Sequence, residues 1–379
     1  MPVIGISGSY GGLNLGDEAI LTCAVEEVRR TVTDAEIVVF SRNAAHTKAA
    51  HAVDRVVEPR QLNREEIGPE IRRLDLLLLG GGGLLFDGEV QRYLREVQLA
   101  HELGVPTATY AVGVGPLDGE ESRRAVAGAL SRFDAVTVRE LRARRLLEEI
   151  GVTRPIAVTA DPALLLTPQP FSEEMLQKEG ISRRRHLVGF SVREPGGAAP
   201  DLREIDYHSL VANAADFMAD RLDADLLFVP MERGDIRHSH AVIARMALAE
   251  RAFVLRGEYG PREILGLMDH LDMVVGMRLH FLIFAAIARL PLIPLPYAAK
   301  VGGFLDDLGL PARVLREQHA GRLLASIDHS WDHRHTLRNT LEQRVPDLQR
   351  RARESMEIAR RALRGEGSPQ ATDSPGVLT

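Results

Sequence analysis

The sequence predicts an α/β protein with two doubly wound, Rossmann-like domains, each built on a parallel sheet, which face each other across a cleft. At 379 residues the chain is longer than one ordinary hydrophobic core supports. Short Leu-rich or β-branched runs alternate with helical patterns, and these runs are apolar on both faces, as in parallel sheets covered by helices. The alternation forms two series, which is why we expect two domains.

The two series are separated by Thr167-Pro168-Gln169-Pro170, a polar and proline-containing segment typical of a linker. We therefore predict domains over residues 1–168 and 169–335, a helix over 336–364 and a disordered Gly/Ser/Pro-rich tail over 365–379. The strand candidates, in chain order, are residues 3–7, 36–40, 54–57, 74–79, 107–112, 135–138 and 156–160, then 186–192, 225–229, 252–255, 272–275 and 291–295.

Composition excludes several classes of function. A net charge of -6 and an aromatic content of 5% argue against nucleic-acid binding, which favours basic surfaces and base-stacking platforms. Cys23 is the only cysteine, so neither a disulfide framework nor a cysteine-based zinc site is expected. The chain starts directly in a strand pattern, without the features of a signal peptide, and its best apolar run is stopped by Arg289. We expect a soluble cytoplasmic protein.

The most informative segment is Arg278-Leu279-His280, which lies between a buried strand pattern ending at Gly276 and a buried helix pattern. In open α/β sheets such junctions bind ligands, and a helix start favours anions. Arg278 and His280 can face one pocket only if the segment is still extended or turning, because residues two apart on a helix point about 200° from each other. The pair predicts phosphate or carboxylate binding with proton transfer; a histidine satisfied within the core is the alternative.

The first strand leads into a glycine-rich loop, Ser7 to Glu18, and then into an amphipathic helix. The loop is neither a dinucleotide fingerprint nor a Walker loop. Asp17 and Glu18 suit the positive end of a helix dipole but repel a phosphate. The loop therefore favours sugar hydroxyls, with Asp17 as a hydrogen-bond acceptor or base; a helix cap beside a flexible loop is the alternative.

Two further strand candidates run into glycines, at Gly80 to Gly83 and at Gly113 to Gly115. The three loops fall at the carboxyl ends of parallel strands and are expected to line one crevice. Four consecutive glycines cost backbone entropy, so we expect a ligand to approach the main chain near Gly81 and Gly82.

Basic side chains follow two other strands. Arg139 points by position at the same crevice, or forms a salt bridge to Glu140 or another neighbour. Lys300 lies at the neighbouring rim, or is an ordinary exposed lysine. Asp161 precedes a proline and is expected to form a turn.

No metal site is predicted. Asp223 and Asp225 have the spacing of a metal-binding D-x-D motif but precede their strand, at the wrong end of the sheet. His238-Ser239-His240 has no convincing third ligand.

Taken together, these motifs resemble the polysaccharide pyruvyl transferase family, whose enzymes add ketal-linked pyruvate to cell-wall and capsular polysaccharides. The likeness runs from about residue 3 to residue 310, and the order and spacing of the motifs are more specific than any one of them. The residues that carry it are Asn14-Leu15-Gly16-Asp17-Glu18, Gly80 to Gly83, Val138-Arg139-Glu140, Gly276-Met277-Arg278-Leu279-His280, Tyr297 and Lys300.

The resemblance implies a two-domain, GT-B-like fold, with the acceptor bound by the first domain and the donor by the second. It implies that the enolpyruvyl group of phosphoenolpyruvate moves onto a sugar hydroxyl pair, forming a pyruvate ketal and releasing phosphate, without a cofactor or metal. By motif, Arg278, the Leu279 backbone and His280 hold the donor, with Arg139 from the other domain and Lys300. His280 is the candidate acid or base.

The same motif carry-over assigns substrate binding to Asn14 and Gly16, and Asp17 is the candidate base for the acceptor hydroxyl. Phe86 departs from the family pattern, where a polar residue is more usual.

Other readings stay open. A nucleotide-sugar glycosyltransferase of GT-B type, or a non-catalytic glycan- or nucleotide-binding protein on the same fold, is the alternative function. Arginines between Arg344 and Arg364 form either a solvated helix face or a peripheral contact with the anionic inner surface of the membrane. The acceptor sugar, the bridged hydroxyls, the ketal stereochemistry, a lipid link on the acceptor and the oligomeric state are not encoded readably.

Overall fold

The computed structural model describes residues 1–182, 184–196, 203–295, 299–310 and 320–366, without the side chains of residues 299, 300 and 320. Strands and helices alternate throughout this part of the chain. The strands are β1 Val3–Ser7, β2 Glu36–Phe40, β3 Arg55–Val57, β4 Leu76–Leu79, β5 Gly82–Leu85, β6 Thr107–Thr109, β7 Val112–Val114, β8 Val136–Val138, β9 Ile156–Val158, β10 His186–Ser191, β11 Ala224–Phe228, β12 Ala252–Val254, β13 Met273–Gly276 and β14 Leu292–Pro294.

The helices between these strands cover the sheets. They are α1 Leu15–Thr31, α2 Ala44–Ala50, α3 Arg64–Arg72, α4 Val90–Leu103, α5 Glu120–Leu130, α6 Leu141–Glu149, α7 Glu173–Lys178, α8 Glu204–Arg221, α9 Asp235–Ile243, α10 Pro261–Leu267, α11 Leu279–Ile287, α12 Ala299–Leu308, α13 Ala320–Asp332 and α14 Arg334–Leu363. None of the helices in the described ranges combines the length and apolar character needed to cross a membrane.

The chain divides into two compact units. Unit 1 comprises Met1–Gly12, Ile20–Leu165 and Leu348–Thr379, and unit 2 comprises Leu13–Ala19 and Leu166–Asp347. The division after Leu165 lies close to the boundary predicted at residue 168. The short segment Leu13–Ala19 groups with unit 2, and the division within helix α14 falls between Asp347 and Leu348.

Unit 1 contains two parallel sheets. One has the strand order β3-β2-β1-β4-β6 and the other the order β5-β7-β8-β9. Hydrogen bonds join the sheets between β6 and β8, where the Thr109 hydroxyl donates to the Thr137 carbonyl (2.8 Å) and the Thr137 hydroxyl to the Thr109 carbonyl (2.7 Å). Both threonines are fully buried, so their hydroxyls need these partners.

The glycine run in unit 1 is a strand start rather than a loop. Gly82–Leu85 forms β5, and Gly82 has a left-handed φ of +96°, which favours glycine. A Cβ on Gly80 would lie 2.9 Å from Cζ of Tyr10, and one on Gly81 would lie 3.0 Å from the Tyr110 carbonyl oxygen. Close internal packing at Gly80 and Gly81, and the positive φ of Gly82, each account for a glycine in this run.

Unit 2 is a single five-stranded parallel sheet with the order β12-β11-β10-β13-β14. The strand order reverses between β10 and β13, where Ser191 is paired with Gly276 in the register. In doubly wound sheets a crevice opens at the carboxyl ends of the two strands beside such a reversal. The sequence that follows β13 at this point is Met277-Arg278-Leu279-His280.

Candidate active site

The backbone remains extended at Arg278 and becomes helical at Leu279. Arg278 has φ −74° and ψ 121° and is the N-cap of α11, with no side-chain cap of the helix start. This confirms the prediction that the segment has not yet become helical at Arg278. The first turn of α11 contains no acidic residue, and its N–H groups have no partner within the helix. The helix start is thus suited to an anion.

The Arg278 guanidinium is held by two carboxylates that come from beyond β11. Its Nε donates to Oδ2 of Asp235 (3.0 Å) and its Nη2 to Oδ1 of the same residue (2.5 Å), a bidentate pair. Nη2 also donates to Glu232. Arg278 is 7% exposed and Asp235 is fully buried. The Nε–Nη2 edge is therefore committed to the protein, and Nη1 is the guanidinium nitrogen that makes none of these hydrogen bonds.

The carboxylates differ in their electrostatics. Burial raises the pKa of Asp235, although its hydrogen bond and charge contact with Arg278 oppose the rise. Burial also acts to raise the pKa of Glu232, but the charge of Arg278 and hydrogen bonds from Arg278 and Asn14 outweigh it, so this pKa lies below its ordinary value. Burial lowers the pKa of Arg278, but the same two carboxylates outweigh that effect and keep the guanidinium charged.

Asn14 links the start of α1 to this network. Its Nδ2 donates to Oε2 of Glu232 (2.8 Å), while its Oδ1 accepts hydrogen bonds from the backbone N–H groups of Gly16 (3.0 Å) and Asp17 (3.3 Å). The backbone N–H of Leu15 donates to the carbonyl of Met231 (2.9 Å). Both polar atoms of the Asn14 side chain are thus used to cap α1 and to fix it against Glu232.

Gly16 makes room for the His280 ring. A Cβ at Gly16 would lie 2.7 Å from Cε1 of His280 and closer still to Nδ1 and Cγ. The imidazole of His280 therefore packs directly on the main chain of Gly16. The predicted acid, His280, and the predicted acceptor base, Asp17, both belong to unit 2, and Asp17 follows Gly16 directly in the chain.

Two more charged residues follow β10. Arg193 forms an ion pair with Glu194, and both are partly buried. Burial acts to raise the pKa of Glu194, but its hydrogen bond and charge contact with Arg193 hold it below the ordinary value. The Ser191 hydroxyl, fully buried at the end of β10, has no hydrogen-bond partner among the described residues.

Arg139 lies in unit 1, where it forms the salt bridge that the sequence analysis left as an alternative. Its Nη1 donates to Oδ2 of Asp161 (2.8 Å), and both residues are 5% exposed. The partner is Asp161 rather than Glu140, whose carboxylate is 4.0 Å away. Asp161 also accepts a hydrogen bond from the backbone N–H of Ala163 (3.0 Å), so it forms the predicted turn as well. The guanidinium covers Gly113, where a Cβ would lie 2.8 Å from Nη2.

The other predicted residues lie in unit 1, outside the described residues or at the amino-terminal end of β11. Gly81 and Gly82 lie in unit 1 and are explained there by packing and by backbone conformation. Tyr297 and the side chain of Lys300 lie outside the described residues. The D-x-D pair is at the amino-terminal end of β11, with Asp223 bonded to Arg185 (3.1 Å) and Arg251 (3.2 Å).

Sequence reasoning missed the two carboxylates that hold Arg278. Glu232 and Asp235 follow the carboxyl end of β11, which is adjacent to β10 in the sheet. Both residues follow a strand, which is also the feature that singled out Arg278. Residues 231–235 were not predicted as part of the site because they contain no glycine run and carry acidic side chains.

Comparison with known proteins identifies the family. The sequence profile named polysaccharide pyruvyl transferase matches residues 14–298, most of the chain. The chain belongs to the polysaccharide pyruvyl transferase family. The matched region contains Asn14, Arg139, Arg278 and His280, and the family is one of transferases. No curated protein sequence matches the chain significantly.

Solved structures show the same fold at low sequence identity. The MnaA–UDP complex of S. aureus is 10% identical, with 99% of this chain and 100% of that chain covered and a TM-score of 0.67. A UDP-GlcNAc 2-epimerase from Neisseria meningitidis bound to UDP-GlcNAc is 11% identical, with 95% and 99% covered and a TM-score of 0.62. A glycosyltransferase from Rickettsia africae is 12% identical, with 96% and 99% covered and a TM-score of 0.63. These likenesses establish a two-domain, GT-B-like α/β fold.

Proposed function

We propose that this protein transfers the enolpyruvyl group of phosphoenolpyruvate to a pair of sugar hydroxyls, forming a cyclic pyruvate ketal and releasing phosphate. The observation that carries the proposal is the Arg278-Leu279-His280 junction. It lies where β13 gives way to α11, beside the strand-order reversal, in a chain that belongs to the pyruvyl transferase family. An open helix start, a fixed guanidinium and an imidazole suit a doubly anionic donor that must also be protonated.

The start of α11 is the proposed anion site. The N–H groups of Leu279 and His280 lie in its first turn, where the helix dipole favours negative charge. Asp235 occupies the bidentate edge of Arg278, so we assign Arg278 a narrower role than the sequence suggested. It fixes the helix start and offers Nη1 to the donor. Lys300 remains a proposed additional cation for the donor carboxylate and phosphate, whereas Arg139 is paired with Asp161 within unit 1.

The proposed reaction needs one proton in and two protons out. A general acid protonates the methylene carbon of phosphoenolpyruvate, and positive charge develops at C2. One sugar hydroxyl attacks C2 and loses its proton, the C–O bond to phosphate breaks, and the second hydroxyl closes the ketal and loses its proton. His280 is the proposed acid, because an imidazole is active in both protonation states near neutral pH. Asp17 is the proposed base for the first hydroxyl.

The same proposal covers the metal requirement, the acceptor and the cellular location of the reaction. No metal takes part in the transfer, because the guanidinium, the helix start and the basic side chains supply the positive charge. The acceptor is a saccharide, free or lipid-linked, and the enzyme works in the cytoplasm, with peripheral contact at the inner membrane surface when the acceptor is lipid-linked. We propose no nucleic-acid partner.

Thermal unfolding with candidate donors tests the proposal. We expect phosphoenolpyruvate to raise the Tm of the full chain more than equal concentrations of inorganic phosphate, UDP-sugars or GDP-sugars. A ligand present at 100 times its Kd raises the free energy of unfolding by about 2.7 kcal/mol. Arg278→Lys keeps a charge beside Asp235 but loses the planar fork, so it should abolish this shift. Arg221→Lys, at an exposed arginine of α8 whose side chain is 54% exposed, is the matched control and should retain it.

His280→Ala separates binding from chemistry. The phosphoenolpyruvate shift should persist, because the helix start remains, while phosphate release in the presence of acceptor falls about 10²- to 10⁴-fold. Stabilisation by a nucleotide sugar but not by phosphoenolpyruvate would reassign the protein to glycosyl transfer. A phosphoenolpyruvate shift without phosphate release from any acceptor fraction would favour a non-catalytic binding protein.

A further inference from the structure

A second polar cluster lies in unit 2, on the helices that follow β10 and β11. Glu204 and His208 are one turn apart on α8, and His238 lies on α9. One carboxylate oxygen and one nitrogen of each ring lie within 4.8 Å of one another. We infer that these three side chains bind a divalent transition metal ion, with Zn²⁺ as the preferred ion. The sequence analysis rejected a metal at His238 because it looked for ligands only nearby in sequence.

The two histidines are already placed as a pair of ligands. Nε2 of His208 and Nδ1 of His238 are 3.1 Å apart. Two nitrogens bound to one tetrahedral Zn²⁺ at about 2.0–2.1 Å are about 3.3 Å apart, so an ion between the rings needs a shift of only a few tenths of an ångström. His208 is 3% exposed and His238 is 2% exposed. The ring positions are therefore set by packing rather than by solvent.

The third side chain completes the ligand set. Glu204 lies at the exposed end of the cluster, so it supplies the anionic ligand and an approach from solvent.

A further carboxylate and an arginine lie next to the ligands. Nε2 of His238 is 3.9 Å from Oε2 of Glu194 and 3.2 Å from Nη2 of Arg237. Arg237 donates to Nε2, so a metal on Nδ1, which leaves the ring proton on Nε2, requires Arg237 to turn away. The Glu194 carboxylate can then move closer and accept that proton, the arrangement that fixes many zinc-binding histidines. Arg237 opposes the ion, since it also lies 3.9 Å from Glu204, but its side chain is 74% exposed and can turn to solvent.

The ligand set selects the class of ion. Two imidazoles and one carboxylate suit Zn²⁺ and similar transition metals, whereas Mg²⁺ and Ca²⁺ prefer sites made of oxygen alone. The role is structural, because an ion here ties α8 to α9, the helix whose first residue, Asp235, holds Arg278. The inference rests on this ligand set alone and is independent of the proposed reaction.

Zinc titration of the full chain tests the site directly. Protein stripped with a chelator is titrated with Zn²⁺ against a chromogenic chelator, and its Tm is measured with and without the ion. We expect one tightly bound Zn²⁺ per chain and a higher Tm. His208→Gln and His238→Gln should each weaken binding by at least about 100-fold. His240→Gln, an exposed histidine on the same helix as His238, should leave it unchanged.

Two features keep the test decisive. All proteins carry His329→Gln, because His329 on α13 and His333 just beyond that helix form an exposed stacked pair that can bind zinc adventitiously. Arg237→Gln changes only an exposed side chain and should tighten binding about three- to tenfold by removing a nearby positive charge. The absence of stoichiometric zinc in the otherwise wild-type chain, or equal binding by His208→Gln and His240→Gln, would overturn the inference.

Discussion

Replacing Gly16 with alanine should displace the proposed acid while leaving the fold in place. The added Cβ would lie 2.7 Å from Cε1 of His280, whereas ordinary contact begins near 3.4 Å. The ring must retreat by about 0.7 Å at Cε1 and further at Nδ1, so the displacement is on the order of 1 Å. A misplacement of that size can cost about 10²-fold in rate, and we expect kcat to fall by at least that factor.

Steady-state phosphate release and urea unfolding measure the two sides of this prediction. The overpacked site should also lose about 1–3 kcal/mol of unfolding free energy, although alanine is the better helix former. Gly68→Ala is the control, because Gly68 lies inside α3 and an added Cβ there meets nothing within 4 Å. That variant should keep full activity and gain about 0.5–1 kcal/mol. Normal kcat in Gly16→Ala would refute the placement of His280 as the acid.

Two further predictions concern stability. Asp235→Ala leaves Arg278 buried with only Glu232 as partner and should lower the unfolding free energy by about 3–5 kcal/mol, whereas Glu354→Ala, at an exposed pair, should change it little in the same urea titration; equal losses would contradict the buried network. Burial lowers the pKa of His101 to about 4. The neutral ring therefore makes its full contribution to the free energy of unfolding above about pH 6.5, and this contribution is lost as the pH falls towards 4. Discounted for partial exposure, the loss is about 1–2 kcal/mol, and it should be absent in His101→Gln; an unchanged pH slope in that variant would contradict this cause.

Most of the fold could be predicted because short apolar runs in the sequence identify most of its strands. Apolar runs such as 36–40 and 186–192 coincide with β2 and β10 nearly residue for residue. Strand β5 was missed because glycines have low strand propensity, and the strand is paired with β7, about 30 positions away along the chain. The run 107–112 was predicted as one strand, yet it divides at Ala111, whose φ of +50° no local pattern announces.

The site residues that could be predicted are those that lie next to each other in the sequence. Arg278 and His280 were found because strand end, basic residue and helix start are contiguous in sequence. Asn14 and Glu232 are 218 positions apart, and Asp235 is 43 positions from Arg278, so their contacts depend on tertiary structure. The contact between His208 and His238, which are 30 positions apart, likewise depends on tertiary structure. The motif around Asn14 was recognised by resemblance, but its physical purpose, capping α1 while holding Glu232, required coordinates.

The central claim is best tested by following the pyruvyl carbon itself. The full chain is incubated in deuterated water with radiolabelled phosphoenolpyruvate and saccharide fractions, lipid-linked and free, with His280→Ala in parallel. We predict acid-labile label in the saccharide, an equal amount of released phosphate and one deuterium in each product methyl group, all lost in the variant. Label that remains in phosphoenolpyruvate, while sugar from a labelled UDP-sugar enters the same fractions, would contradict pyruvyl transfer.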